Sequence, residues 1–309
     1  MTGIVAISTS SFAAETSQPL DLLRERGFEV RINPHGRPLT PDEARALLDG
    51  VVGLIAGTEK LGADLLRAHP ALKVISRVGV GIDNIDLAAA RELRIEVCNT
   101  PEAHVDAVAE LTLAGLLAAL RRVPDCHAAI RSGTWKKPMG RLLRGKTVGL
   151  VGFGRVGRAF ARLLRPFECP IMAVDPMRDE TSASGVGARY CDLATLLPAC
   201  DVVSLHLPYE KAAHHLIGAR ELAAMREDAV LINASRGGLV DEEALAEHLR
   251  AHPAAVAYLD CFEKEPYTGP LRDLPNAVLT AHIGSYARES RERMEREAVE
   301  NLLRVLGRA

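Results

Sequence analysis

Three segments late in the chain run from an apolar stretch into a side chain able to do chemistry. Val230-Leu231-Ile232-Asn233 leads through Ala234 and Ser235 to Arg236 and Gly237-Gly238. Leu259 leads into Asp260-Cys261-Phe262-Glu263-Lys264-Glu265-Pro266, and Leu279-Thr280-Ala281 into His282-Ile283-Gly284. If the apolar stretches are parallel strands, the ligand cleft lies beyond their carboxyl ends. An imidazole, a carboxylate and a guanidinium are then predicted to meet in one cleft. Each has a duller alternative: His282 as a satisfied core residue, Arg236 as a cap or bridge, Glu265 as a loop carboxylate.

Upstream, Val148-Gly149-Leu150-Val151 runs into Gly152-Phe153-Gly154-Arg155-Val156-Gly157 and then a helical stretch from Arg158 to Leu164. With 25 glycines in the chain a glycine triplet alone says little. Context identifies it as a dinucleotide loop, because a strand precedes it, a helix follows, and a second apolar strand, Ile171 to Val174, ends in Asp175. Gly152 suits a tight turn, Gly154 lets backbone approach a pyrophosphate, and Gly157 lets the helix pack on the strand. Amides at the helix start, around Arg155 and Val156, then face the negative charge. Asp175 is suited to a ribose diol and repels a 2′-phosphate, which favours NAD over NADP, although Arg178 blurs the choice. Its alternative is a helix cap.

These residues need a frame, and the rest of the chain has the pattern of one. Strands are predicted at Ile4 to Ser8, Glu29 to Ile32, Val51 to Ala56, Lys73 to Arg77 and Ile95 to Cys98. Pro19 to Arg26, Pro41 to Leu48 and Gly62 to Ala68 alternate with them as amphipathic helices. Pro101 breaks the chain before a long helix, about Glu102 to Arg121, apolar on so many sides that it must be buried between layers, domains or subunits. After a looser segment, Ser132 to Arg144, a second strand set follows at Thr147 to Val151, Ile171 to Val174, Val202 to Leu205, Ala229 to Asn233, Val256 to Leu259 and Val278 to Thr280. A last helix runs from about Ala287 to Leu306; its mixed Arg and Glu residues read as a solvated face. His214 and His215 read as helix surface.

The 309 residues suit two domains. Apolar residues at 48% and charged ones at 25% are ordinary for a globular chain. Lys and Arg number 38 against 40 Asp and Glu, a formal charge of −2, too near neutral for nucleic acid to be an expected partner. No apolar run is long enough to span a membrane and no basic leader follows Met1, so a soluble cytoplasmic protein is expected. The six cysteines, Cys98, Cys126, Cys169, Cys191, Cys200 and Cys261, stand singly; buried free thiols and no metal site are expected.

The motifs together resemble the D-isomer-specific 2-hydroxyacid dehydrogenases, the family that includes phosphoglycerate dehydrogenase. They are R-V-G-V-G-I-D-N-I-D at 77 to 86, V-G-F-G-R-V-G at 151 to 157, N-A-S-R-G-G at 233 to 238, D-C-F-E-K-E-P at 260 to 266 and A-H-I-G at 281 to 284. The resemblance covers essentially the whole chain. It implies two doubly wound parallel-sheet α/β domains, a Rossmann NAD domain (99–284) inserted into a flavodoxin-like substrate domain (1–98 and 285–309). It also implies a homodimer with the long apolar helix near its interface.

The resemblance makes His282 the acid/base, Glu265 its partner and Arg236 the substrate anchor, and physics supports each role. Oxidation of a secondary alcohol by hydride loss requires removal of the hydroxyl proton, and His has its ordinary pKa nearest neutrality. A neighbouring carboxylate favours the imidazolium and fixes the tautomer, while a guanidinium can grip a carboxylate in two places. Along with Gly152, Gly154, Arg155, Val156, Gly157 and Asp175, the cofactor set implied is His206, Leu207, Pro208, Ala234, Ser235, Asp260 and Gly284. Val78, Gly79 and Val80, whose glycine-rich turn exposes backbone amides, are substrate-binding candidates with Arg77 and His104.

A phosphate-holding Arg-Ser pair found after the third strand of some phosphoglycerate dehydrogenases is Ala56-Gly57 here, and an Asn often near the long helix is His104. Positive charge at Arg77, Lys60, Lys136 and Lys137 keeps an anionic 2-hydroxy acid as the expected substrate, phosphorylated or phosphono-substituted first, glyoxylate or hydroxypyruvate second. Other readings are a dinucleotide-sensing corepressor on the same scaffold and a formate dehydrogenase, which carries Gln where this chain has Glu265.

Overall fold

The computed structural model describes residues 3–307. Contacts divide the chain into two units, Met1–His104 with Ser285–Ala309, and Val105–Gly284. The first alternates strand and helix: β1 (Ile4–Ile7), α1 (Gln18–Glu25), β2 (Glu29–Ile32), α2 (Pro41–Leu47), β3 (Val51–Ala56), α3 (Ala63–Arg67), β4 (Val74–Arg77), α4 (Leu87–Glu92) and β5 (Glu96–Cys98). Helix starts follow local chemistry: Thr40 and Glu43 form a capping box before α2, and Asp86 caps α4 through the Ala89 amide. The strands are all parallel in the order β2-β1-β3-β4-β5, the flavodoxin-like arrangement.

The second unit holds α5 (Val105–Arg121), α6 (Val123–Arg131), β6 (Val148–Val151), α7 (Arg155–Leu164), β7 (Ile171–Val174), α8 (Glu180–Val186), β8 (Ala188–Tyr190), α9 (Leu193–Ala199), β9 (Val202–Leu205), α10 (Ala219–Ala224), β10 (Val230–Asn233), α11 (Glu242–Ala251), β11 (Val256–Leu259) and β12 (Ala277–Leu279). Its parallel order, β12-β11-β10-β9-β6-β7-β8, read outward from β6, is the Rossmann order with one strand added. Strands β6, β9 and β10 are buried throughout, as both faces of a doubly wound sheet require. Helix α12 (Arg288–Val305) then returns to the first unit, packing Met294, Ala298, Val299 and Leu302 among Val5, Ile7 and Val74.

Several expectations shift. The long helix begins at Val105, not Glu102, and residues 99–104 belong to the first unit, where Thr100 and Gly79 exchange hydrogen bonds of 3.0 and 2.9 Å. Helix α5 is apolar on many sides because it packs on α7, β10, β11 and β12 of its own unit; a Cβ at Gly115 would sit 2.2 Å from the buried Tyr258 ring. Helix α7 starts at Arg155, which places Gly157 inside it. The edge strand β8 and helix α6 lacked an apolar period strong enough to announce them.

The mixed-charge helix α12 corrects one reading at two of its residues, while Arg288, Glu289, Arg293 and Arg296 are exposed as expected. Arg291 and Glu295 are buried, paired at 2.8 Å, with Arg291 donating to Ser11 Oγ and Glu295 accepting the Ala13 amide. A charge run is indistinguishable from a solvated face until the loop that covers two of its members is in place. Of the cysteines, all free, only Cys200 and Cys261 are buried. Among the described residues no helix is long and apolar enough to cross a membrane.

Candidate active site

Strands β10, β11 and β12 lie side by side and parallel, so the turns at their carboxyl ends sit at one edge of the sheet. Asn233, buried at the end of β10, builds the first turn: its Oδ1 accepts from the Ser235 amide and hydroxyl, and its Nδ2 donates to the Arg236 carbonyl. Gly237 then crosses the second turn so closely that a Cβ would lie 1.9 Å from the Phe262 carbonyl oxygen. This crossing sets the Arg236 turn against the segment that carries Glu265, and it explains why glycine follows the arginine.

His282 Nδ1 stands 3.0 Å from both Glu265 oxygens. Glu265 also accepts the Phe262 amide. Partial burial pushes Glu265 up, but the His282 hydrogen bond and charge, the Phe262 amide and the Arg236 charge outweigh it and hold the carboxyl below its ordinary value. The carboxylate form is therefore the one that holds the imidazole. Arg236, half-buried, also donates to the Ser235 carbonyl at 2.7 Å.

His282 itself takes a left-handed backbone, φ 54°, unusual for a non-glycine residue. Asp260 supports that turn. Buried at the end of β11, it accepts the Thr280 hydroxyl at 2.5 Å and the amides of Ile283 and Gly284 at 2.9 and 2.7 Å. The sequence suggests a cofactor contact for Asp260, and the structure adds a local task, since both its oxygens hold the turn that carries His282. Nothing in its local pattern announces this, because its partners lie 20 to 24 residues onward.

The glycine loop fits a dinucleotide. Gly152 has φ 98° and a Cβ there would fall 2.6 Å from the His206 carbonyl oxygen, while a Cβ at Gly157 would fall 2.4 Å from the Gly152 carbonyl oxygen. Gly154, the helix N-cap, faces open space within 4 Å, which leaves room for a pyrophosphate over the α7 amides. Asp175 ends β7 above this loop, accepting the Phe153 amide at 2.7 Å and the Met177 amide at 2.8 Å. Asp175→Ala is expected to lower kcat/KM for NAD by roughly ten- to a hundredfold, the range for hydrogen bonds to a charged group. The value for NADP should change less, as paired steady-state assays would show. Equal losses with both would reduce Asp175 to a prop for the loop.

His206 closes the other side. Its Nε2 lies 3.0 Å from Ser204 Oγ, its ring tilts against Phe160, and its Nδ1 is buried with no partner among the described residues. Burial pushes its pKa down to about 4, so the imidazole is neutral at ordinary pH. Between about pH 4 and 6.5 the unfolded chain carries this proton and the folded chain does not, so stability falls as pH drops through that window. The contribution is at most about 3 kcal/mol. His206→Gln is accordingly expected to flatten the fall of Tm between those pH values, measured by scanning calorimetry; an unchanged slope would show that the ring is not enclosed.

In the first unit the proposed carboxylate turn offers fewer amides than its glycines suggest. The Val78 amide donates to the Ala56 carbonyl and the Gly79 amide to Thr100 Oγ1. Among the described residues no acceptor takes the Val80 amide. Arg77 donates to the Val78 carbonyl, and its guanidinium packs where a Gly79 Cβ would stand. His104 is half-buried at the close of this unit. His214 and His215, expected on a helix, instead follow a single 3-10 turn, Lys211–Ala213.

The profile described as D-isomer specific 2-hydroxyacid dehydrogenase, NAD binding domain, matches residues 113–284. A glyoxylate reductase of Thermococcus litoralis is 42% identical over 266 residues, covering 83% of this chain and 80% of that protein. A hydroxypyruvate reductase of Thermotoga maritima is 37% identical, covering 96% and 99%. A D-3-phosphoglycerate dehydrogenase of Archaeoglobus fulgidus is 36% identical, covering 89% of this chain and 53% of its own. Among solved structures, the TT0316 protein of Thermus thermophilus superposes with a TM-score of 0.89 at 40% identity, covering 98% and 97%. The chain belongs to the D-isomer-specific 2-hydroxyacid dehydrogenases. It is an NAD-dependent oxidoreductase of that family, with a Rossmann unit and a flavodoxin-like unit.

Proposed function

We infer that the enzyme interconverts a small 2-oxo acid and its D-2-hydroxy acid, with glyoxylate or hydroxypyruvate as the oxo acid and His282 as the acid/base. The observation that carries this reading is the His282–Glu265 pair, 3.0 Å on both carboxylate oxygens, with the Arg236 charge acting on the same carboxylate. NAD, when bound, supplies the hydride acceptor in oxidation and the donor in reverse. Glu265 holds Nδ1, so Nε2 is the nitrogen that takes the hydroxyl proton in oxidation and returns it in reduction. The carboxylate fixes the ring and stabilises the positive charge once the proton has arrived. Arg236 grips the substrate carboxylate and polarises the C2 oxygen. Gly152, Gly154, Arg155, Val156, Gly157, Asp175, His206, Leu207, Pro208, Ala234, Ser235, Asp260 and Gly284 form the proposed cofactor set. Val80, flanked by Arg77, is the proposed amide contact in the first unit, with Val78 and Gly79 shaping its turn and His104 a further substrate contact.

The first unit argues for a substrate without phosphate, which reverses the order expected from sequence. At the carboxyl end of β3 the Gly57 amide is already taken by the Glu59 carboxylate, 3.1 Å away, and Glu59 is buried against the Ser8 hydroxyl. An internal carboxylate at that amide opposes a phosphate there. The relatives named for glyoxylate and hydroxypyruvate agree with the smaller acid.

A cytoplasmic homodimer completes the reading. Free thiols suit a reducing compartment. Val123, Ile130, Trp135, Met139 and Leu142, on α6 and the segment after it, are exposed apolar residues of one stretch, which is where a partner subunit is expected rather than on α5. Light scattering should give twice the chain mass at micromolar protein, and a monomer there would refute the dimer.

The deciding assay is oxidation of NADH and NADPH with glyoxylate, hydroxypyruvate, phosphohydroxypyruvate and phosphonopyruvate. One of the first two is expected to show the highest kcat/KM with NADH. Preference for a phosphorylated acid overturns the substrate assignment, and no turnover with any 2-oxo acid returns the chain to a dinucleotide-sensing role.

A further inference from the structure

His214, His215 and Glu263 lie outside the chemistry described above, yet they come together from segments 48 residues apart. The two imidazoles stack with centroids 3.8 Å apart and planes 24° from parallel. His215 Nε2 is 3.3 Å from Glu263 Oε2, and one ligand atom from each of the three residues lies within 4.8 Å of the others. Two imidazole nitrogens and a carboxylate oxygen are a donor set for zinc and its neighbours, with a fourth position open to water. In such a site the metal-to-ligand distances are about 2.0–2.2 Å, so the three ligand atoms, now within 4.8 Å of one another, close in and the stacked rings turn apart when an ion binds.

His214 and Glu263 are exposed, as an open metal site requires, and the surroundings hold the two histidines. His215 has a left-handed backbone, φ 52°, pinned by its amide donating to the Gly238 carbonyl at 2.8 Å. A Cβ at Gly238 would come 2.9 Å from the Tyr209 ring and 3.6 Å from His214 Nδ1, so this corner has no slack. Tyr209 Oη lies 3.3 Å from His214 Nδ1, Asp241 Oδ2 lies 3.7 Å from His215 Nδ1, and the Glu263 amide donates to Glu242. Tyr209 on His214 Nδ1 is the kind of oriented partner that metal sites place on the second nitrogen of a ligating histidine to fix the ring.

We propose that His214, His215 and Glu263 form a binding site for one divalent transition-metal ion of the zinc class on the second unit. The ion ties the 209–215 segment to the 260–266 segment. A second stacked pair, His248 and His252 at 4.5 Å on and just after α11, has no place in the cluster and serves as an internal control.

The test is titration of the chelator-treated, tag-free full chain with Co²⁺, read by visible absorption, and with Zn²⁺ in competition with a chromophoric chelator. One Co²⁺ per chain with the intense bands of a tetrahedral site, displaced by Zn²⁺, is expected. His215→Asn, which tolerates the left-handed backbone, and Glu263→Gln should each weaken binding by at least about tenfold, whereas His248→Gln should not. Each variant's melting temperature without metal establishes that it folds. Stoichiometric binding that survives both substitutions, or no saturable binding by the folded wild-type chain, overturns the assignment.

Discussion

His282→Ala is expected to lower kcat by roughly 10²–10⁴-fold, the range that positioned general acid/base catalysis contributes, while binding of NADH, followed by fluorescence, stays unchanged. The separation follows from the architecture. The glycine loop that receives the dinucleotide ends β6, whereas His282 follows β12 at the far edge of the same sheet, and the two share no hydrogen bond. Alanine at φ 54° is strained, so His282→Asn, which tolerates that backbone, distinguishes lost chemistry from a disturbed turn. Both variants should be impaired alike, and added imidazole should restore part of the rate in the alanine variant. Glu265→Gln should cost less, because an amide can still orient the ring although it cannot stabilise the charge. Turnover within a few-fold of wild type in both His282 variants would sink the acid/base assignment.

Much of this was legible because the chemistry hangs on local pattern. A strand of four apolar residues, a glycine turn and a helix start are written consecutively, so β6, Gly152 and α7 can be found from one stretch of sequence. The same holds for Arg236 and His282, each within three residues of a strand end. What stayed hidden depends on contacts between distant stretches. That Asp260 also braces the His282 turn shows only once Thr280, Ile283 and Gly284 are seen folded onto it. Glycines at 79 and 81 suggest a row of free amides, yet Ala56 and Thr100 have claimed two of them. Arg291 and Glu295 look solvated because the covering residues, Ser11 and Ala13, stand at the other end of the chain. The stacked His214 and His215 are adjacent in sequence, but their carboxylate partner is not. Spacing rules read periodicity within an element; they do not report which polar group fills a particular hydrogen bond.

Arg236→Gln is expected to lower kcat/KM by roughly 10²–10³-fold, the loss seen when a preorganised donor to a developing oxyanion is removed. Two functions are assigned to this guanidinium, and kinetics separate them. Gripping the substrate carboxylate contributes equally to ground and transition states and raises KM when lost; polarising the C2 oxygen matters only as charge develops, and its loss lowers kcat. Arg236→Gln should therefore move both constants. Arg236→Lys keeps a positive charge but not the two-pronged fork, so it should recover kcat more than KM. Removing the charge also takes away one of the influences that hold Glu265 low, though the His282 contact stands ahead of it, so the imidazole–carboxylate pair itself should survive. A crystal structure of Arg236→Gln would check that the 3.0 Å contacts persist. If the pair is intact and kcat/KM is nevertheless near wild type, Arg236 is only a bridge between Ser235 and the Glu265 turn, and the substrate's anchor is another cation.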